Sequence, residues 1–483
     1  MQFSNNLIAQ LFYQLSVYLA PLISTPYLSR VLGSSMIGRV SYAQSIASYF
    51  ILAAGFGTAT YGQRIVASQQ KDPAAQWRAF CDIVFLRTLM AVICGMLYYF
   101  AIVPKSADPK VSLFTGVEIL SVAADISWYY QGSERFHIIA LSNGITRCLL
   151  IILLFLFVKT PSDVAIYAAL HSCSILLCAL SQWLFLPKGQ NLGEHRPESF
   201  LDRGKIHING SFSLFAAQLA MQVYTVLDKT MIGLITKLES ENGYYDQAQR
   251  LIRLLESCCT VVSPVITSRV AVLWHQERQD EALSLLKRSI QFVCCIGVPT
   301  AIGLQLVASD FVPIYYGASY EPVIALLQIL SALPLVIGIS NVIGIQFLVP
   351  TGREQILTLS VSAGAVVNII LNLFLITEFK SFGAALASVI AEITVTGIQL
   401  HCVRSEIRFR EVIHTLFHYV FLCVPMFLCG VLLHLTLSPG KMRLIMTITA
   451  CIVVYWGCLY LAKDPLLRFV REALHSRFHR NTP

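Results

Sequence analysis

The sequence predicts an all-α polytopic membrane protein with about 14 transmembrane helices, arranged as two parallel six-helix repeats followed by two C-terminal helices. Hydrophobic residues make up 56% of the 483 positions and charged residues only 13%, whereas a soluble chain carries about 25% charged residues. Apolar runs long enough to cross a bilayer recur along the whole chain, and strings from its first half reappear in its second half. These observations exclude a soluble enzyme, a disordered chain and a secreted disulfide scaffold.

The apolar runs are continuous over about 20 residues, so they predict helices rather than the short alternating strands of a barrel. Residues 1–29 contain no Lys or Arg, so the first run lacks the basic region of a signal peptide and is expected to remain as a helix. In chain order, the predicted segments are Phe3–Ser29, Ile37–Tyr61, Phe80–Val103, Val111–Gln131, Phe136–Val158, Asp163–Leu186, Gly210–Ile235, Tyr244–Ser268, Ser289–Ser309, Pro322–Val349, Ile356–Ile376, Phe382–Val403, Val412–Leu435 and Arg443–Ala462.

Positive charge is distributed unevenly between the two sides of this topology. About 21 Lys and Arg residues fall on the side of both termini and about 9 on the other, so the positive-inside rule predicts that both termini are cytoplasmic. The net charge of +8 therefore needs no nucleic-acid partner. The expected organisation is a six-helix lobe over 1–186, a cytoplasmic linker over 187–209, a second lobe over 210–403, helices 13 and 14 over 404–462, and a basic tail over 463–483.

An internal repeat connects the two lobes. The string Gly38–Gln44 (GRVSYAQ) returns as Gly243–Gln249 (GYYDQAQ), and the same offset places Arg64 on Arg269. Six predicted helices separate the copies, and an even number preserves their orientation in the membrane. The predicted repeats are therefore parallel, as in transporters that rock one half against the other.

Polar residues within the apolar segments mark candidate functional positions, because a charge at a helix centre costs about 2.5–3.5 kcal/mol on insertion scales. The eighth segment carries a polar stripe that includes Arg253 and Glu256, which either lines a wet cavity or pairs within the protein. Its cationic surroundings suit a pyrophosphate, which arginine binds bidentately. The candidate cavity residues are Arg30, Gln44, Arg87, Arg147, Asp228, Lys229, Gln249, Arg250 and Arg253.

The intramembrane acids have two open interpretations. Asp125, Glu256 and Glu392 either neutralise neighbouring arginines or carry coupling protons. Arg64 and Arg269 lie near predicted inner helix ends, where they serve as an inner gate or as lipid-headgroup anchors. The 14 cysteines form no ligand pattern. We expect no metal and no cofactor, and a proton or sodium ion is the candidate coupling ion.

Several strings resemble those of a known family. They are Tyr27–Gly33 (YLSRVLG), Tyr61–Arg64 (YGQR), Trp128–Gly132 (WYYQG) and Asp228–Gly233 (DKTMIG). They resemble bacterial polysaccharide flippases of the multidrug/oligosaccharidyl-lipid/polysaccharide exporter superfamily. One departure is Ser268 before Arg269, where that family usually has proline.

The resemblance implies a function that composition alone does not. Such flippases carry undecaprenyl-pyrophosphate-linked oligosaccharide repeat units from the inner to the outer leaflet of the bacterial plasma membrane by alternating access. They serve O-antigen, capsule or lipopolysaccharide synthesis and have no catalytic residues. The partners implied are the lipid-linked oligosaccharide, membrane lipids, a polysaccharide polymerase and a chain-length regulator.

Two alternatives stay open. A multidrug/cation antiporter of the same superfamily predicts a cavity dominated by Asp and Glu, whereas this inventory is cationic. A membrane polysaccharide polymerase or ligase predicts a large outer loop with catalytic groups, whereas the predicted outer loops are short.

Overall fold

The computed structural model describes residues 2–69, 71–186 and 200–466, with residues 2–19 and 200–206 described by their backbone alone. Within these ranges the chain forms α-helices joined by short turns, with no β-strand. The α-helices are α1 Gln2–Gly55, α2 Thr58–Ser68, α3 Pro73–Leu97, α4 Pro109–Thr115, α5 Val117–Ala124, α6 Ser127–Gly132, α7 Phe136–Phe157, α8 Val164–Trp183, α9 Phe200–Thr236, α10 Glu239–Thr260, α11 Ser263–His275, α12 Gln279–Tyr315, α13 Pro322–Leu330, α14 Leu333–Ile343, α15 Glu354–Phe379, α16 Ser381–Cys402, α17 Phe409–Thr436 and α18 Lys441–Leu461.

Helical stretches long and apolar enough to cross a membrane number 11 among the described residues. Each of them overlaps one predicted segment, from the third to the sixth and from the eighth to the fourteenth. The first predicted segment lies on α1, the second runs from α1 into α2, and the seventh lies on α9. The prediction of an all-α, multi-pass membrane protein is therefore confirmed.

The first two predicted segments are separated by a kink rather than by a loop. The helix α1 runs from Gln2 to Gly55, and inside it only Gly33 leaves helical geometry, with φ 74° and ψ 172°. A positive φ is accessible to glycine because it has no Cβ. Gly33 thus divides α1 into a first and a second limb without an intervening loop.

Other predicted segments are single spans built from shorter helices. The fourth is divided among α4, α5 and α6, and the tenth between α13 and α14. In the eighth, α10 ends at Thr260 and α11 begins at Ser263, one residue before Pro264. Proline has no amide hydrogen and fits the first turn of a new helix, so it favours a break at this point.

Large apolar side chains lie exposed along the helices, as a lipid-facing surface requires. Phe100, Phe421, Leu435 and Leu461 each keep more than 70% of their surface accessible. In water these exposed apolar side chains would favour association of the protein, whereas the hydrocarbon core of a membrane solvates them.

The chain forms two compact units, Met1–Gly243 and Tyr244–Pro483. In the first, one apolar cluster surrounds Trp128 and Phe80, and another surrounds Tyr98 and Ala47. In the second, a larger cluster joins α12, α14, α17 and α18 around Cys294 and Phe347. The predicted linker 187–209 falls largely outside the described residues, and the predicted lobe boundaries stay predictions.

Candidate functional site

The predicted cavity arginine Arg87 and the predicted acid Asp125 form an ion pair in the first unit. Arg87, on α3, is only 3% exposed. Its Nη2 donates to Asp125 Oδ2 at 3.1 Å, its Nη1 to Thr58 Oγ1 at 3.1 Å and its Nε to the Val122 carbonyl at 3.1 Å. The surrounding protein thus satisfies all three guanidinium nitrogens. This geometry favours the neutralising interpretation of Asp125.

Arg147, on α7, is placed differently. It is half-buried, and its Nε is buried without a hydrogen-bond partner among the residues that the structure describes. Asn143, one turn earlier, donates instead to the Ile139 carbonyl at 3.0 Å. An unsatisfied buried N–H of a charged group costs more than 1 kcal/mol. A guanidinium left in this state is suited to an anionic ligand.

Gln44 belongs to a polar cluster inside the first unit. Its Nε2 lies 3.4 Å from Glu118 Oε1 and 3.1 Å from His171 Nδ1. Glu118, which is 8% exposed, also contacts His171 Nδ1 at 3.2 Å and accepts from Ser172 Oγ at 2.9 Å. Sequence reasoning missed His171 and Ser172, because they are isolated polar residues in the apolar helix α8. A buried carboxylate beside a histidine can exchange a proton.

The polar stripe of the eighth segment lies on α10 in the second unit, where its side chains bond one turn apart. Arg250 Nε donates to Asp246 Oδ2 at 2.7 Å, and Asp246 is buried. Gln249 Nε2 donates to Tyr245 OH at 2.9 Å.

Arg253 and Glu256, which belong to the same stripe, do not form the ion pair that the sequence allowed. The exposed Arg253 instead donates from Nε to Gln249 Oε1 at 3.4 Å, while Glu256 is half-buried. Arg253 is thus the more accessible cation of the stripe, and Arg250 is already paired.

The remaining predicted residues divide by exposure. Asp228 is 5% exposed on α9, and its neighbour Lys229 is half-buried. Glu392 is half-buried on α16. The three exposed side chains are those of Arg30 on α1, Arg64 on α2 and Arg269 on α11. Arg64 and Arg269 lie inside α2 and α11, which continue to Ser68 and His275, and their headgroup-anchor interpretation stays a prediction.

An ion cluster that sequence reasoning missed joins three segments of the first unit. Arg39 Nη1 donates to Asp108 Oδ2 at 2.9 Å, while its Nε and Nη2 donate to the two carboxylate oxygens of Glu239 at 2.8 and 2.9 Å. Burial by itself raises the Asp108 pKa, but hydrogen bonds from Arg39 and from the Val111 and Lys110 backbone outweigh it, so the pKa is lowered. Arg39 directly follows Gly38 in the repeated string, and this position in the repeat was the sequence feature that could have identified Arg39 as a candidate.

No cluster of three His, Cys, Asp or Glu residues suited to a metal is present among the described residues. His418 Nε2 lies 3.3 Å from Asp464 Oδ2. Tyr419 OH donates to the other oxygen of the same carboxylate at 3.4 Å. This group links the start of α17 to the end of α18.

Comparisons with known proteins add to this geometry. A family model described as "Polysaccharide biosynthesis protein" matches residues 3–272. A putative O-antigen transporter of Escherichia coli K12 is 27% identical over 398 residues, which cover 81% of this chain and 94% of that protein. A putative O-antigen transporter of Shigella dysenteriae is 19% identical over 391 residues, covering 80% and 96%.

Solved structures share the fold. A lipid II flippase MurJ in an inward closed conformation superposes with a TM-score of 0.76 at 16% identity, covering 96% of this chain and 99% of that one. An inward-facing multidrug transporter of the MOP superfamily superposes with a TM-score of 0.60 at 12% identity, covering 80% and 97%. At these identities the likeness concerns the fold alone.

Proposed function

Because the chain belongs to the polysaccharide biosynthesis protein family, we propose that it is a flippase for lipid-linked oligosaccharide repeat units. The two O-antigen transporters that align over most of their length support this assignment. The substrate we propose is an undecaprenyl-pyrophosphate-linked oligosaccharide, moved from the inner to the outer leaflet of the bacterial plasma membrane. Both termini lie in the cytoplasm in this proposal.

The observation that carries the proposal is the unsatisfied guanidinium of Arg147. Its buried Nε has no partner among the described residues, whereas each guanidinium nitrogen of the intramembrane Arg87 donates a hydrogen bond. A pyrophosphate offers several anionic oxygens, and arginine binds them with retained charge and directional hydrogen bonds. Arg147 is therefore the residue that we propose contacts the pyrophosphate.

Transport in this proposal proceeds by alternating access, driven by a proton or sodium gradient or by the membrane potential. One charge moved through 100 mV supplies about 2.3 kcal/mol, enough to bias a conformational cycle. The Glu118–His171 pair is the proton-binding candidate in the first unit, since the buried carboxylate and the imidazole lie 3.2 Å apart. A polysaccharide polymerase and a chain-length regulator are the proposed partners that use the exported unit.

The test is complementation of a deletion strain with Arg147→Gln. We expect surface glycan to fall at least about tenfold, because one charge-assisted contact is worth about 1.5–3 kcal/mol. Lipid-linked single repeat units should accumulate on the cytoplasmic face. The readouts are surface glycan on gels and the fraction of glycolipid protected from periodate oxidation in oriented vesicles, at matched protein abundance.

Arg278→Gln is the matched control. Arg278 is exposed and forms an ion pair with the exposed Glu281, at 2.7 Å, so glycan export should match wild type. Normal export by Arg147→Gln at native abundance would refute the role of Arg147. Repeat units that accumulate on the outer face would indicate a polymerase or ligase, and drug sensitivity with intact glycan would indicate an antiporter.

A further inference from the structure

A cavity of about 510 Å³ lies in the first unit, apart from Arg147 and the Arg87–Asp125 pair. The second limb of α1, the chain between α3 and α4, and the junction of α9 and α10 surround it. Its volume falls in the range of about 300–1,000 Å³ typical of small-molecule sites. In the predicted topology it lies at the outer ends of these helices. We call it the Asn242 cavity, after the buried amide in its wall.

Asn242 is the feature of this cavity that calls for a ligand. Its side chain is 0% exposed, and neither Nδ2 nor Oδ1 has a hydrogen-bond partner among the described residues. A Cβ added to Gly233 would lie 2.9 Å from that Nδ2, so glycine leaves room for the amide. Leaving a buried polar group unsatisfied costs about 1–3 kcal/mol. A ligand that offers both a donor and an acceptor would recover this free energy.

The walls restrict the chemistry of that ligand. Tyr42, Ile46 and Ile102 also line the cavity. At the rim, Arg39 is already engaged by two carboxylates, and the lining also contains the exposed lysines Lys105 and Lys237. An apolar molecule would leave the amide unsatisfied. A molecule with hydroxyl groups and aliphatic C–H faces satisfies both the amide and the apolar walls, and the two lysines accommodate an acidic group on it.

We propose that the Asn242 cavity binds a sugar ring of the transported oligosaccharide. Vicinal hydroxyls can accept from Nδ2 and donate to Oδ1, while the C–H face of the ring packs on Tyr42. The identity of the sugar as part of the carried glycan rests on the proposed function. This site binds the glycan at the outer end of the first unit, away from Arg147 and the pyrophosphate.

Binding is tested with the full-length protein in lipid nanodiscs. The probe is the free oligosaccharide released by mild acid from the lipid-linked repeat unit of the source strain, and calorimetry gives the Kd. Asn242→Leu should weaken binding about tenfold or more, because it removes both amide contacts. Asn341→Leu, a matched change at a half-buried position in the second unit, should bind as wild type does.

A second variant protects the test against misfolding of Asn242→Leu. Ala101 is an exposed residue of the cavity wall, so Ala101→Phe fills the cavity without altering the amide and should weaken binding similarly. Wild-type affinity in both variants, or no binding by the wild-type protein, would overturn the sugar site. So would a phospholipid retained by wild type and lost from both variants in native mass spectrometry, with oligosaccharide binding unchanged.

The same strains separate this inference from the proposed function. Oligosaccharide binding that depends on Asn242, together with normal glycan export in the deletion strain, would refute the flippase assignment and leave the sugar site intact. Export that requires the protein, together with Asn242-independent binding, would refute the sugar site alone.

Discussion

Two arginines inside the membrane helices of the first unit have opposite environments. Arg87 is buried and donates to three oxygen atoms, including that of Asp125. Arg147 keeps a buried Nε without a partner among the described residues. A buried ion pair is costly to break, because removal of one partner leaves the other charge uncompensated. At the scale of residues, Arg87 is therefore assigned to stability, whereas Arg147 is the residue that we propose contacts the substrate.

This assignment predicts that Asp125→Asn destabilises the protein without altering its substrate site. Loss of the carboxylate leaves the Arg87 guanidinium buried and unpaired, so we expect a loss of about 3 kcal/mol. Denaturant unfolding in detergent micelles measures the effect. The control is Glu281→Gln, in an exposed pair with Arg278, which should cost less than about 1 kcal/mol. Equal effects of the two changes would contradict the structural role of Asp125.

At the scale of elements, two repeat-related glycines hold the second limb of α1 against the start of α10. A Cβ on Gly38 would overlap the Glu239 carbonyl oxygen, and one on Gly243 would overlap the Ser34 carbonyl oxygen. Gly38 and Gly243 are the first residues of the repeated strings, and they also face each other, since a Cβ on Gly38 would lie 2.7 Å from the Gly243 nitrogen. The strings thus share glycine because backbones meet closely at both.

Gly38→Ala is therefore expected to separate the two backbones and to destabilise the first unit by at least about 1–3 kcal/mol, the cost of overpacking. Gly397→Ala is the matched control, because α16 leaves open space around Gly397 and alanine favours helix by about 0.5–1 kcal/mol. Thermal unfolding of both variants measures the difference. A melting temperature of Gly38→Ala equal to or above that of Gly397→Ala would contradict the close packing.

Apolar length and continuity predicted the 11 membrane-length helical stretches among the described residues, because the hydrocarbon core imposes both properties on each segment separately. The kinks and breaks between helices were less predictable. Nothing local distinguishes a kink at Gly33 from a short loop, since glycine permits both. The division of α10 from α11 had a local signal in Pro264. At the division of α5 from α6, Asp125 accepts both from the nearby Ser127 amide and from the distant Arg87, and only the first of these contacts is local in the sequence.

At the scale of the whole molecule, the candidate site was predictable in residue types but not in pairing. The free-energy cost of placing a charge inside a membrane helix identified Arg87, Arg147 and Arg250 individually as candidate residues. Which of them is satisfied depends on contacts such as Arg87 with Asp125, 38 residues apart in the chain. Glu118 with His171 lies 53 residues apart, and Arg39 with Glu239 lies 200 apart. A single sequence holds no record of such distances, so the partners appear only in the folded chain.

Ion pairs between spans also give the folded molecule a pH dependence. Burial raises the pKa of Glu406, but hydrogen bonds from Ser405 and Arg353 outweigh it and hold the pKa below its usual 4.5. A lowered folded-state pKa contributes stability that is complete above 4.5 and is lost as the pH falls through the folded value. Arg353 Nη1 lies 2.7 Å from Glu406 Oε1, in a partly exposed pair, so the contribution is at most about 1 kcal/mol.

Glu406→Gln should accordingly be less stable than wild type at pH 7 and should approach it as the pH falls below 4.5. The neutral side chain of glutamine can still accept a hydrogen bond from Arg353. Because glutamine does not ionise, the variant loses only the part of the free energy of unfolding that depends on the charge of Glu406, and therefore on pH. Melting temperatures of both proteins between pH 7 and pH 3, in one detergent and at constant ionic strength, measure the convergence. A gap that stays constant or widens toward low pH would show that Glu406 stabilises the protein through packing rather than through its charge.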